Sequence, residues 1–303
     1  MSNAVRIVEV SPRDGLQSEA LQVSTEVKVD LVRRLMATGL NDIEVTAFVN
    51  PERLPQMADA EALCGQLEAS ENVRLSALVP NVHGLQRAQQ AGINNLAFFS
   101  AASESFCQKN IGCSIEQSLQ RCKQLIEQLK QQPNSRLRAY ISCAFACPYE
   151  GKVAAEKVSE LAAKLMDIGC DEIVLADTIG VATPRLTQQL VRRVKELVSI
   201  GRLALHLHDT RGQALANIYA CLELGITTID ASVAGLGGCP FAPGATGNLA
   251  TEDLVYLLEG CGVDTGIDLD RLIGVGRFIS AQLGHVNQSR VGVAGGLPYE
   301  AQE

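Results

Sequence analysis

The chain has 303 residues, 47% of them hydrophobic, with 26 glycines and 10 prolines, an ordinary composition for one large globular domain or two small ones. A formal net charge of −8 without any block of like charge argues against a nucleic-acid or anionic-membrane surface and leaves room only for a local basic pocket. No apolar run approaches the roughly 20 residues of a membrane span, so neither nucleic acid nor membrane is expected as a partner.

Strand-like runs alternate with amphipathic helical stretches along the whole chain. VRIVEV (5–10) opens it and is followed by a helical segment over 24–38. NDIEVTAF (41–48), VRLSALVP (73–80) and NNLAFFS (94–100) come next, with a helix over 82–91 between the last two. A helix over 114–131 leads to LRAYISCAF (137–145), one over 153–168 to DEIVLADT (171–178), one over 183–199 to LALHLHD (203–209), and one over 212–224 to TTIDASVAG (227–235). Glycines stand just before several strands, in ATGLNDIEV, QAGINNLAF, DIGCDEIVL and ELGITTIDAS, where helix C-caps and short loops belong. Eight such units predict a (β/α)8 TIM barrel. The runner-up, a doubly wound open sheet, calls for fewer units and a glycine fingerprint after the first strand, and neither GLGGCP nor GVGRFI supplies one. One domain is expected over 1–303, the barrel occupying about 5–262 and a C-terminal helix and tail 263–303.

The ten cysteines are scattered through apolar or helical contexts without zinc spacing, as expected of free thiols in a reducing compartment. The N-terminus enters a strand directly with no signal or transit pattern, and the expected location is cytoplasmic.

Polar residues at strand ends are the candidates for chemistry, because such barrels carry their sites at the C-terminal ends of the strands. In LALHLHD, Leu203, Leu205 and Leu207 share one face, while Ala204, His206 and His208 share the other. Two imidazoles at that spacing suit a metal or catalytic site, whereas His83 and His285 lack such a context. The same alternation turns Glu44, Thr46, Tyr140 and Ser142 inward and sets Asp177 and Thr178 at the mouth. Buried carboxylates without a cation cost several kcal/mol, so this group implies a positive centre, which Arg13 and a divalent metal would supply. The run GLGGCPFAPGATGN forms a long loop over the active face, with Cys239 at its middle. Asn248 ends it, as a helix N-cap or as a metal ligand.

The segments SPRDGLQSE, AFACPYEGKV, LADTIGVATP, LHLHDTRGQALAN and VAGLGGCPFAPGATGNLATED together resemble the 3-hydroxy-3-methylglutaryl-CoA lyases, over about residues 5–280. Isopropylmalate, homocitrate and citramalate synthases are similar at the RDG turn and the HxH strand but differ in the cysteine loop. The resemblance implies cleavage of 3-hydroxy-3-methylglutaryl-CoA to acetyl-CoA and acetoacetate in leucine breakdown. It implies Mg²⁺ or Mn²⁺ on Asp14, His206, His208 and Asn248, although two imidazoles also suit Zn²⁺ or Fe²⁺. Arg13 would contact the thioester carbonyl, and Cys239 would act from its loop. Glu44 and Asp177 match active-site acids, and Asn110 a residue near the CoA arm. Asp177 or a histidine near the metal is the expected base, with Gln17 and Glu9 orienting the Arg13–Asp14 pair. Ser142 and Thr178 complete the expected substrate contacts. An acyl-CoA partner and a homo-oligomer, dimer or tetramer, are expected. The final helix reads LGHVNQSR, with no cysteine after Cys261, so neither tail contacts to CoA nor thiol regulation is expected.

Overall fold

The computed structural model describes residues 5–68, 72–130, 132, 134–238 and 247–295. Eight parallel strands close into a barrel: β1 (Arg6–Glu9), β2 (Asp42–Ala47), β3 (Arg74–Leu78), β4 (Asn95–Ala101), β5 (Arg136–Ser142), β6 (Glu172–Asp177), β7 (Leu203–Leu207) and β8 (Thr228–Ala231). Each lies inside a run read from the sequence or within one residue of it. Closure is made by β8 pairing with β1 from Thr228↔Arg6 to Ala231↔Glu9, so no sheet edge is left open.

Helices cover the outside. They are α1 (Thr25–Met36), α2 (Ala60–Cys64), α3 (Val82–Gln90), α4 (Glu104–Ile111), α5 (Ile115–Leu129), α6 (Ala155–Ile168), α7 (Pro184–Val194), α8 (Ala214–Leu222) and α9 (Thr251–Gly260). Their starts are chemically marked: Ser24 accepts from Val27 N at α1, and Ser114 with Gln117 forms a capping box at α5, satisfying amides that the helix itself cannot. The four glycines expected as stops, Gly39, Gly92, Gly169 and Gly225, all have positive φ. The buried faces meet the outward strand residues, among them Leu203, Leu205 and Leu207, in one apolar layer.

Three features differ from the expectation. The short helices α2 and α4 were not read, because five and eight residues hold too few turns to show periodicity. A two-stranded hairpin, Ala146–Cys147 with Gly151–Lys152, stands after β5. The C-terminal part holds two helices, α10 (Leu269–Leu283) and α11 (Arg290–Ala294). The second forms where the Asp253 carboxylate accepts from Ser289 Oγ at 2.7 Å and Val291 N at 2.8 Å. No helix among the described residues is long and apolar enough to cross a membrane.

Candidate active site

The turn after β1 brings Arg13 and Asp14 to the C-terminal mouth. The amides of Arg13, Asp14 and Gly15 all donate to the Val10 carbonyl, tightening residues 11–15 into a single wide helical turn. Gly15 is required there by contact, since a Cβ would come within 2.8 Å of Ser232 Oγ and 2.9 Å of Leu236 Cβ.

Arg13 is 6% exposed and its donors are aimed. Nε bonds Glu44 Oε1, and Nη1 bonds Asp14 Oδ1 at 2.6 Å and Gln17 Oε1 at 3.3 Å. Glu44, fully buried, also accepts from the Tyr140 hydroxyl at 3.0 Å. Burial opposes the Arg13 charge, but Glu44 and Asp14 outweigh it and hold the guanidinium pKa above its ordinary value. The cation is therefore permanent and immobile. Of the pair, Gln17 meets Arg13 only. The Glu9 carboxylate, expected to orient the pair, instead takes the amides of Ser11 and Val233 and the Thr251 hydroxyl, bracing the turn's backbone from below.

His206 lies on β7 and His208 one residue past its end, on the face the alternation predicts. Asp14, His206 and His208 each offer a donor atom within 4.8 Å of the others, and Asn248 is bridged to His208 by backbone pairing. Asn248 Nδ2 donates to Asp14 Oδ2 at 2.8 Å and to the Leu236 carbonyl at 3.0 Å. Burial again opposes charge on Asp14, and Arg13 with the two histidines overrides it, holding the carboxyl well below the usual range. The histidines diverge. Burial disfavours charge on both, but at His206 the bond to Asp230 and the charge of Asp14 win and raise the pKa. At His208 burial, reinforced by His206, lowers it to about 4. His208 Nδ1 is buried and has no hydrogen-bond partner. One carboxylate and two imidazoles converging, with an unpartnered buried ring nitrogen among them, fit a divalent cation bound by hard oxygen and borderline nitrogen donors.

These residues open on a cavity of about 770 Å³, lined by Arg13, Asp14, Gln17, Asn110, Tyr140, Ser142, Thr178, His206, His208 and Gly238. That volume suits a sizeable organic ligand. Arg53 and Arg121 also line it, two cations that the sequence reading passed over. Cys239 lies outside the described residues.

Two expected positions are corrected. Asp177 does not face the cavity. It pairs with Leu207, whereas its neighbour Ala176 pairs with His206, so strand parity turns Asp177 outward. Its oxygens accept from Val181 N at 3.1 Å and Ala182 N at 2.8 Å; burial raises its pKa and these amides only partly offset that. It clamps a loop. Thr46 is displaced because the β2–β3 register slips between Glu44 and Thr46, a bulge that re-aims the chain. Its hydroxyl meets the Met57 thioether at 3.8 Å. Two inward residues were missed: Arg138, two residues before Tyr140 on the face already read as inward, and Asp230 on β8. Arg138 Nη2 bonds Asp230 Oδ1 at 2.8 Å.

A family model described as HMGL-like matches residues 4–279. The chain belongs to that family. It is 48% identical to the cytoplasmic 3-hydroxy-3-methylglutaryl-CoA lyase of Rattus norvegicus over 96% of this chain and 84% of the relative. It is 47% identical to the hydroxymethylglutaryl-CoA lyase of Pseudomonas mevalonii over 96% of both chains. Among solved structures, the hydroxymethylglutaryl-CoA lyase of Pseudomonas aeruginosa superposes with a TM-score of 0.94 at 47% identity, covering 96% of this chain and 97% of that one. The carboxyl transferase domain of Rhizobium etli pyruvate carboxylase, at 19% identity and a TM-score of 0.71 over 92% of this chain and 47% of that one, shares the barrel fold alone.

Proposed function

We propose that this chain is a hydroxymethylglutaryl-CoA lyase, cleaving 3-hydroxy-3-methylglutaryl-CoA to acetyl-CoA and acetoacetate within leucine breakdown. The observation that carries the reading is the convergence of Arg13 with Asp14, His206 and His208 on one cavity, in a chain nearly half identical to curated lyases over 96% of its length. Asp14, His206, His208 and Asn248 are the residues that would hold a divalent metal, with Mg²⁺ or Mn²⁺ favoured by the two oxygen donors. When bound, such an ion polarises the oxygens of the substrate and makes its tertiary alcohol more acidic.

The remaining work falls to side chains. Cleaving the carbon–carbon bond needs the alcohol proton removed and leaves charge on a thioester enolate. Arg13 serves that charge: Glu44, Asp14 and Gln17 occupy Nε and Nη1, and Nη2 carries no bond among the described residues. A donor fixed in advance at developing charge contributes about 3–4 kcal/mol to the transition state. Asp177 is dropped as the base because both its oxygens are engaged; His206 has Nδ1 against Asp230 and Nε2 toward Asp14, and His208 remains as the histidine near the metal that could take the alcohol proton. Cys239 would return a proton to the enolate carbon, with its loop excluding water; Gly238, the residue before it, lines the cavity. One catalytic domain, a cytoplasmic setting and a homo-oligomeric assembly belong to the same reading.

Formation of acetoacetate and acetyl-CoA from the hydroxyacyl-CoA, abolished by EDTA and restored by Mn²⁺, tests it. Condensation of 2-oxo acids with acetyl-CoA in place of that cleavage would move the chain to the synthase branch. Cys239→Ser should lower turnover more than substrate affinity, and normal turnover would remove the thiol from the reaction.

A further inference from the structure

Beneath the two histidines the barrel interior is ionic instead of apolar. We propose that Asp230 is a positioning residue that holds the His206 imidazole in its Nδ1–H tautomer, so that Nε2 keeps its lone pair on the side of Asp14. This rests on reading Asp14, His206 and His208 as the metal centre.

The geometry admits little else. Asp230 is paired in register with His206 across β7 and β8, so both side chains enter the barrel at one level. The carboxylate has no solvent exposure and two committed oxygens. Oδ1 accepts from Arg138 Nη2 at 2.8 Å. Oδ2 lies 2.9 Å from the Tyr140 hydroxyl and 3.3 Å from His206 Nδ1. That hydroxyl has one proton and lies 3.0 Å from Glu44 Oε2 as well, so it satisfies only one of the two acids at a time. Oδ2 therefore requires the His206 N–H. A bare Nδ1 in its place would set two buried acceptors against each other, at the full cost of an unmade buried bond.

Arg138 keeps the acid in place, its guanidinium bonded to Oδ1 inside the barrel. Arg138 is itself tied to Glu172 Oε1 at 2.9 Å, which fixes the fork against the strand beneath. The ring plane of His206 is set by Tyr140, whose ring meets it edge-on at 5.8 Å and 87°. His206 Nε2 then lies 3.8 Å from Asp14 Oδ2, too far for a hydrogen bond between them. A carboxylate behind a ligating histidine fixes its tautomer and raises its basicity, and removing such a partner typically weakens metal binding roughly 10–100-fold.

The test reads the ring nitrogens directly. In metal-free protein labelled with ¹⁵N-histidine, held in alkaline buffer so that the rings are neutral, long-range ¹H–¹⁵N correlation should show His206 as the Nδ1–H form. Its signals are assigned by their loss in His206→Asn. The Nε2–H form in the unmodified protein would overturn the proposal, whether or not any variant folds. By calorimetry with Mn²⁺ alone, Asp230→Asn should bind roughly 10–100-fold more weakly. Glu172→Gln, which touches Arg138 but not His206, should stay within about twofold. Equal Mn²⁺ affinity in Asp230→Asn and the unmodified protein would also overturn it. Absence of Mn²⁺ binding by the unmodified protein, with His206 in the Nδ1–H form, would strike the metal-centre reading and leave the pairing intact.

Discussion

At its N-terminal mouth the barrel opens on about 910 Å³ lined by Arg6, Arg74, Arg136 and Arg138 with Asp42 and Glu172. At its C-terminal mouth the cavity is smaller, about 770 Å³. Both ends are strongly charged, and they differ in how the charges are used. At the N-terminal end Arg6 takes Asp42 and Glu172, Arg74 takes Asp42, and Arg138 takes Glu172, so Asp42 and Glu172 are both spent on arginines of the same rim. At the C-terminal end Asp14, His206 and His208 face one another with a ring nitrogen left over, and Arg13 is locked beside them. Cavity size therefore says little about where the chemistry is. Unspent donors converging on one point say more.

The sharpest way to break this contrast is at Arg13. Arg13→Gln should lower kcat at least about 100-fold while calorimetry shows Mn²⁺ binding retained; an unchanged kcat would leave the C-terminal mouth no more reactive than the other.

Next comes Asp177, which the sequence reading assigned to the chemistry and the structure assigns to a loop. Asp177→Ala strips a buried and a partly buried amide of their acceptor, and urea unfolding should show a loss of about 2 kcal/mol; an unaltered midpoint would mean the clamp is idle. This residue shows where a pattern of alternating side chains stops being informative. On β7 the pattern was enough, because two histidines and three leucines define both faces. On β6 the carboxylate sits one residue past Ala176, and its outward turn is settled only by pairing with Leu207. Thr46 was lost to a bulge, which depends on the partner strand and leaves no mark in β2 itself. Arg138 was legible by the same alternation that identified Tyr140, but an arginine inside a barrel makes sense only once Asp230, 92 positions away, is known to meet it.

A smaller effect belongs to Glu252, at the root of the cysteine loop. Burial, with Glu9 and Asp253 nearby, raises its pKa to about 8, against the amides it accepts from, Ala234 N included. A carboxyl whose folded pKa is raised favours the fold fully below its unfolded value of 4.5 and loses that contribution as pH climbs through about 8. Thermal melts should therefore weaken across that window, and Glu252→Gln should reduce the pH-dependent loss by at least ~1 kcal/mol, roughly 1–2 °C for a chain of this length. An identical slope in the variant would place the titration elsewhere. The least effect is expected at the N-terminal rim. Arg74→Ala removes a partly exposed pair and should cost at most about 1 kcal/mol in stability, with kcat within about twofold. A large fall in kcat there would show that the two mouths are coupled through Arg138.

The wide turn at residues 11–15 has a consequence for how this site can change. Arg13 and Asp14 are joined by one peptide bond, and three successive amides anchor that bond to a single carbonyl. The backbone spacing of the residues that carry the cation for the substrate and the first anion of the metal set is thus a covalent constant, about 3.8 Å between Cα atoms. The turn behaves as a fixed caliper. Substrate scope can be altered around the rim by changing loops, but the backbone spacing of those two residues can be altered only by an insertion, which would disturb both functions at once.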